Sequence, residues 1–246
     1  MMPTRSAIVT GSGQGIGSTI ARRLAHDGWH VWCADLAESS VTAVVSAIRN
    51  DGGEADAIAG DVGDPRSVSD MWATVRSSGA AVSGLVNNAG IFPRAPAIDI
   101  DFAEWNRVLA VNLTGGFLMA QEFARQIDGS AGAIVNIASG QAYRPIPLGA
   151  HYAASKAGVV NLVRVLAAEW GPRGIRVNAV VPGVVDTAQP RAVMGDEDFA
   201  RAAATNPLGR LTRAEDVAAT VAFLFSEEAA FITGQSIAVN GGAMML

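Results

Sequence analysis

Thr10-Gly11-Ser12-Gly13-Gln14-Gly15-Ile16-Gly17, TGSGQGIG, follows directly on the run Ser6–Thr10 and leads into a segment with helical spacing. Its glycines pose a question of register. Counted as G-x-G-x-x-G from Gly11 and Gly13, the pattern fails, because Ile16 stands where the third glycine belongs. Counted as G-x-x-x-G-x-G from Gly11, it is completed by Gly15 and Gly17, and a glycine-rich turn still opens onto a helix.

The rest of the chain repeats this alternation of strand and helix. Strand candidates are Ser6–Thr10, His30–Ala34, Ala55–Ala59, Gly84–Val86, Ala133–Ile137, Arg176–Val181 and Ser236–Val239. Several are apolar along most of their length rather than alternating, as expected of parallel strands covered on both faces. Between them, apolar residues recur at helical spacing, as at Ile16, Ile20 and Leu24. No linker or change of composition divides residues 1–246. The expected fold is therefore one α/β domain of Rossmann type, a doubly wound parallel sheet of about seven strands with helices on both faces. Thr212-Arg213-Ala214-Glu215 has capping-box spacing before the apolar run Val217 to Phe225. The irregular stretch of residues 184–210 reads either as a mobile cover over a site or as a peripheral insertion that only packs.

Composition narrows the function classes. The 246 residues are half apolar and carry a net charge of -5, with no cluster of Lys and Arg, which argues against nucleic acid or an anionic membrane as partner. The single cysteine, Cys33, lies in VWCAD and reads as a small buried hydrophobe. The N-terminal stretch lacks the apolar region of a signal peptide, and no run approaches the ~18–20 apolar residues of a membrane span. A cytoplasmic protein is expected. No His/Cys/Asp/Glu spacing suggests a metal site.

A glycine loop at the carboxyl end of the first strand lies where open α/β sheets bind ligands, and the free N–H groups of the following helix face a pyrophosphate there. Gly11, Ser12, Gln14, Gly15, Ile16 and Gly17 are the candidate contacts. The second strand ends at Asp35, with Leu36 beside it. A carboxylate there accepts hydrogen bonds from an adenosine ribose diol and repels a 2′-phosphate, so NAD is expected over NADP.

With further matches the sequence resembles the classical short-chain dehydrogenase/reductase family over nearly its whole length. These are Asp61-Val62, Asn87-Asn88-Ala89-Gly90, Asn112, Ser139, Tyr152-x-x-x-Lys156, and Pro182-Gly183 with Thr187. The resemblance explains the glycine register and implies roles. Asp61 and Val62 resemble the residues bordering the adenine ring. Asn88, Ala89 and Gly90 resemble the segment supporting the central strand and the adenosine side. Pro182, Gly183 and Thr187 resemble the contacts to the nicotinamide end, with Val185 near its carboxamide. Asn112, Ser139, Tyr152 and Lys156 resemble a catalytic tetrad, in which Asn112 is held on a helix and helps retain a water beside the lysine.

These residue types suit hydride transfer coupled to proton transfer. A free tyrosine titrates near pH ~10, so Tyr152 needs help to act as a base. Lys156, four residues on, shares its helix face and favours the phenolate, as does the positive charge of oxidised nicotinamide. Ser139 would hydrogen-bond the substrate oxygen. His151 reads as structural or as a wall of the cleft. Ile91, Phe92, Arg94 and the segment Gln141 to Leu148 would line that cleft, with Arg94 and Arg144 either meeting an anionic group or lying on the surface.

The first expectation is an NAD-dependent oxidoreductase acting on a small secondary alcohol or its ketone, such as a polyol, a hydroxy acid or a cyclic or aryl alcohol. The alternative is reduction of a 3-oxoacyl thioester, weakened by the segment Arg125-Gln126-Ile127-Asp128-Gly129, which lacks the basic run such reductases present to an acidic carrier. A non-catalytic nucleotide-binding regulator is disfavoured by the presence of both Tyr152 and Lys156. The family also implies a homotetramer, with the tail Ala243-Met244-Met245-Leu246 either a buried subunit contact or a loose end.

Overall fold

The computed structural model describes residues 5–127 and 131–245. Its centre is a parallel sheet of seven strands: β1 (Ser6–Thr10), β2 (His30–Asp35), β3 (Glu54–Ala59), β4 (Val82–Asn87), β5 (Gly132–Ile137), β6 (Ile175–Pro182) and β7 (Ser236–Val239). The spatial order is β3-β2-β1-β4-β5-β6-β7. The chain thus winds outward from β1 in one direction, returns, and winds outward from β4 in the other. The strand ends diverge between β1 and β4, and the crevice for a ligand opens there.

All strands fall where the apolar runs place them, with ends displaced by one or two residues. β2 runs on to Asp35, paired with Ala59, so the carboxylate is fixed by sheet pairing rather than by a turn. Helices cover both faces. Helix α1 (Gly15–His26), α2 (Glu38–Asn50) and a late helix at Ala214–Phe225 enclose one core around Val9, Ile20 and Leu24. On the other face α3 (Pro65–Ser77), the α4–α5 pair (Phe102–Leu109, Gly115–Gln126) and α6 (Ala150–Trp170) enclose a second around Ile8, Trp72 and Phe123.

The manner in which α1 is held matters for the site. Its N-cap residue Gln14 makes no side-chain capping bond. Burial of Ile20 and Leu24, each contributing about 1.5–3 kcal/mol, holds the helix instead and leaves its first N–H groups free to face the crevice. By contrast α3 and α4, away from the glycine loop, are capped by Asp64 on the N–H of Arg66 and by Asp101 on the N–H of Glu104.

After β6 the chain makes an excursion over the crevice through two short helices, α7 (Ala188–Arg191) and α8 (Asp196–Ala204), before α9 (Ala214–Phe225). Its base is closed where the N–H of Thr212 donates to Val184 O at 3.1 Å. The capping of α9 differs by one residue from the expected Thr212 register. Arg213 is the N-cap and its N–H donates to Asp216 at 2.8 Å, because Thr212 is engaged with the end of β7 through Val239 O. Among the described residues no helix is long and apolar enough to cross a membrane.

Candidate active site

Two connected cavities share Ile16, Asn88, Gly90, Thr187 and Gln189 in their walls and form one cleft along the carboxyl ends of the strands. The first, about 490 Å³, runs from Asp35 and Leu36 past the glycine loop to Thr187, with Asp61, Val62 and Ala89 on its far wall. Its shape depends on glycines with no substitute. Gly11 (φ +63°) and Gly15 (φ +55°) lie in the left-handed region, and a Cβ on Gly17 would stand 2.1 Å from Gly11 O. Asn88 ties the loop to β4, its Nδ2 donating to Thr10 O and Gly11 O at 3.0 Å each. Bare backbone, free helix N–H groups and a carboxylate at the rim together fit a dinucleotide with its ribose at Asp35.

Of the loop residues expected at the cofactor, Ser12 is not brought to the cleft. It is fully buried, and its hydroxyl donates inward to Ala34 O at 3.2 Å. Gly13 takes a place that the register argument passed over. Its N–H donates to Asp35 Oδ2 at 3.0 Å, and a Cβ there would meet Ser40 at 2.8 Å. The clue was a fourth glycine in the quoted loop that the G-x-x-x-G-x-G count leaves unused.

The second cavity, about 410 Å³, holds Tyr152 and Lys156, with Pro182, Gly183 and Val185 on the β6 side. Tyr152 and Lys156 share a face of α6, and Lys156 Nζ lies 5.7 Å from the centre of the Tyr152 ring. Nζ donates to Ile137 O at 2.7 Å, at the end of β5. Ser139, two residues further, accepts the N–H of Gln141 on its side-chain oxygen at 3.2 Å and lies near enough to the Tyr152 phenol to lower it. The Phe92 ring packs on that of Tyr152 at 4.5 Å.

Asn112 stands within the wider π-type turn Ala110–Thr114 between α4 and α5, rather than on a regular helix. Its side chain clamps Ile91, accepting from the N–H at 2.8 Å and donating to the carbonyl at 2.9 Å, and also reaches Ser155 at 3.2 Å. Ser155, not singled out in the sequence, donates in turn to Tyr152 O at 2.7 Å. Asn112 and Lys156 also line a small cavity of about 10 Å³, the room of one water. His151 is structural and not a cleft wall. It is fully buried, one ring nitrogen facing Glu104 at 3.0 Å and the other accepting the N–H of Tyr152 at 2.9 Å.

The electrostatics correct one expectation. Burial raises the Tyr152 phenol above its ordinary value, against the smaller lowering effect of Ser139. Lys156 does not overcome this. Its own ammonium is pulled down to about 8 by burial. The unfolded chain keeps that proton to about pH 10.4, so above pH 8 it binds more protons than the folded chain and stability rises with pH. Relative to Lys156→Met, wild-type stability is expected to climb by up to about 1.4 kcal/mol per pH unit between about pH 8 and pH 10.4 and to level off above. Cys33, pushed up to about 12, and Tyr152 act in the opposite sense but are common to both proteins. Urea midpoints taken across this range check the difference, and a flat one refutes the burial argument.

Comparison with known proteins assigns the class. The family model described as enoyl-(acyl carrier protein) reductase matches residues 11–244. The chain is 40% identical over 245 residues to the cis-4-hydroxycyclohexanecarboxylate dehydrogenase of Sinomonas cyclohexanicum, covering 97% of this chain and 96% of that one. It is 39% identical to a 3-oxoacyl-[acyl-carrier-protein] reductase of Staphylococcus aureus, covering 100% of both chains. Among solved structures it superposes with TM-score 0.93 and 38% identity on a protein of Beutenbergia cavernae, covering 98% of this chain and 97% of that one. That protein is assigned as an NAD(P)-dependent gluconate 5-dehydrogenase and holds NADP at low occupancy. The chain belongs to the short-chain dehydrogenase/reductase family.

Proposed function

We propose that the chain is an NAD-dependent dehydrogenase that interconverts small secondary alcohols and their ketones, with Tyr152 as general acid–base. The observation that carries this reading is the Tyr152 phenol, on one helix face with Lys156, in a cleft continuous with the groove that ends at Asp35. Hydroxy-acid substrates are named for two of the similar proteins, which supports the choice of small alcohols.

The residues divide the chemistry. Gly11, Gly13 to Gly17, Asp35 and Leu36 hold the adenosine and pyrophosphate, Asp61, Val62 and Asn88 to Gly90 border the adenosine side, and Pro182, Gly183, Val185 and Thr187 hold the nicotinamide. Bound oxidised nicotinamide supplies the hydride acceptor and a positive charge close to Tyr152. Ser139 donates to the substrate oxygen, and Tyr152 takes the hydroxyl proton in oxidation and returns it in reduction. Lys156 holds ribose hydroxyls and favours the phenolate once a second positive charge offsets the effect of burial. Asn112 fixes Ile91 and Ser155, and through Ser155 the first turn of α6. Residues 184–210 serve as the substrate lid. The Gln189 amide, which donates to Gly90 O at 3.1 Å, joins the lid to the cofactor loop.

NAD is favoured because Asp35 ends β2 at the rim and Arg107 is the one basic residue among the described residues lining that half of the cleft. Repulsion of a 2′-phosphate by Asp35 costs several kcal/mol, so NAD⁺ is expected to exceed NADP⁺ in kcat/KM by about 100-fold or more, falling to within about tenfold in Asp35→Ser. Reduced-nicotinamide absorbance, followed with both cofactors against secondary alcohols, polyols and hydroxy acids, tests both claims. A wild-type preference for NADP⁺ refutes the role of Asp35.

One observation favours 3-oxoacyl thioester reduction, namely the full-length likeness to the Staphylococcus aureus reductase. Against it, Arg125 has Glu122 beside it on its own helix, which offsets the positive charge an acidic carrier would meet there. Asp128 and Gly129 lie outside the described residues. We further propose a cytoplasmic homotetramer paired through the α4–α5 and α6 faces, where Phe102 and Val165 are exposed. The tail contributes through Met245, also exposed, while Leu246 lies outside the described residues.

A further inference from the structure

The Tyr152 half of the cleft carries an imbalance of charge that hydride transfer does not require. Beyond Lys156, which the proposed chemistry uses, Arg94, Arg144 and Arg201 line it, against the one carboxylate, that of Asp198, found there among the described residues. Asp198 is already committed. It accepts the N–H of Gly195 at 3.1 Å and pairs with Arg201, and these contacts, with the charge of Arg94 as the smallest contribution, hold its carboxyl below the usual range. Arg94 is not committed. It enters from the segment after Gly90, two residues beyond the Phe92 ring that packs on Tyr152, and Nη2 makes a long bond to Pro147 O at 3.3 Å. Its Nε is buried with no partner, and so is Oε1 of Gln141, which lines the same cavity. A buried charged donor left unpaired is costly, and the planar guanidinium matches a carboxylate with two parallel N–H bonds.

We propose that Arg94 anchors a substrate carboxylate, so that the substrates are hydroxy acids, with Gln141 Oε1 accepting a hydrogen bond from a substrate hydroxyl. The assignment rests on the dehydrogenase reading and sharpens it to one substrate class. The positive surplus draws the anion in, Arg94 fixes one end of it, and Tyr152 and Ser139 meet the carbinol. Asp198 feels the charge of Arg94 but, bonded to Gly195 and Arg201, makes no direct hydrogen bond or ion pair to it.

The test compares matched probes that differ in the anion. These are 4-hydroxycyclohexanecarboxylate against its methyl ester, and gluconate against sorbitol, each with NAD⁺ and with NADP⁺. Wild type is expected to favour the acid of a pair by about tenfold or more in kcat/KM. In Arg94→Gln the KM for the acid is expected to rise by about 10- to 100-fold, the range of one charge-assisted hydrogen bond, while kcat/KM for the neutral partner and NADH affinity stay unchanged. Arg94→Lys should recover part of the loss. Equal preference for acid and neutral probes, or an Arg94→Gln variant that loses both alike, overturns the assignment. If no probe is turned over, calorimetric titration of cyclohexanecarboxylate into the protein–NADH complex decides separately. Saturable binding lost in Arg94→Gln upholds the anchor even where the dehydrogenase reading has failed, and its absence in wild type overturns the anchor.

Discussion

Tyr152→Phe is expected to lower kcat by about 10²–10⁴-fold, the range of a positioned acid–base group, with little change in NADH affinity or thermal stability. The substitution removes one hydroxyl and keeps the ring that packs on Phe92 at 4.5 Å. The backbone contacts of Tyr152, from its N–H to His151 and from its carbonyl to Ser155, also survive. A large loss of rate therefore reports proton transfer and not a damaged fold. Steady-state rates in both directions check this. A variant that keeps more than about a tenth of the wild-type rate removes Tyr152 from the acid–base role. The raised phenol sharpens the expectation, because without bound oxidised cofactor Tyr152 holds its proton near neutrality.

Gly17→Ala is the second large effect. The added methyl would stand 2.1 Å from Gly11 O, 2.8 Å from Gly11 C and 2.5 Å from Asn88 Nδ2. None of these can retreat cheaply, since Asn88 Nδ2 is itself bonded to Thr10 O and Gly11 O. Overpacking of a tight site costs about 1–3 kcal/mol, a fall of roughly 2–12 °C in Tm for a chain of this size. Because the strain falls on the loop itself, NADH affinity is expected to drop by about tenfold or more, which is the same energy read as binding. Gly52→Ala is the control, for its Cβ meets nothing within 4 Å and only its φ of +85° is strained. Calorimetry and NADH fluorescence titration read the two variants side by side. Unchanged Tm and affinity in Gly17→Ala would show that the loop is not built as described.

The fold was legible because its signals are local. Runs such as Ala133–Ile137, apolar but for Asn136, are buried along their whole length since both sheet faces are covered, and the stripe of Ile20 and Leu24 follows from helical period alone. The Tyr152–Lys156 pairing was legible for the same reason, four residues on one helix face. What the sequence hid depends on contacts between distant segments. Ser12 turns inward because Ala34 O, on the neighbouring strand, offers its hydroxyl an acceptor. Gly13 faces Asp35 across 22 residues of chain. Thr212 gives up the capping position because β7 lies beside it. Asn112 serves as a clamp only because Ile91 and Ser155 converge on it. The direction of the Tyr152 shift likewise reflects burial, which residue spacing does not contain.

The bond that closes the excursion at Val184 and Thr212 bears on how such an enzyme changes over generations. Asn206, anchored on Asn240 O at 2.9 Å, secures the returning limb to the end of β7. Between these fastenings the chain leaves and rejoins the sheet at nearly one point, so the strands beneath do not register its length or content. Residues such as Met194 and Ala202 can be exchanged, inserted or deleted at small cost to the two cores. Under the proposed lid role, selection can retune which molecule is admitted while the nucleotide loop and the tyrosine stay as they are.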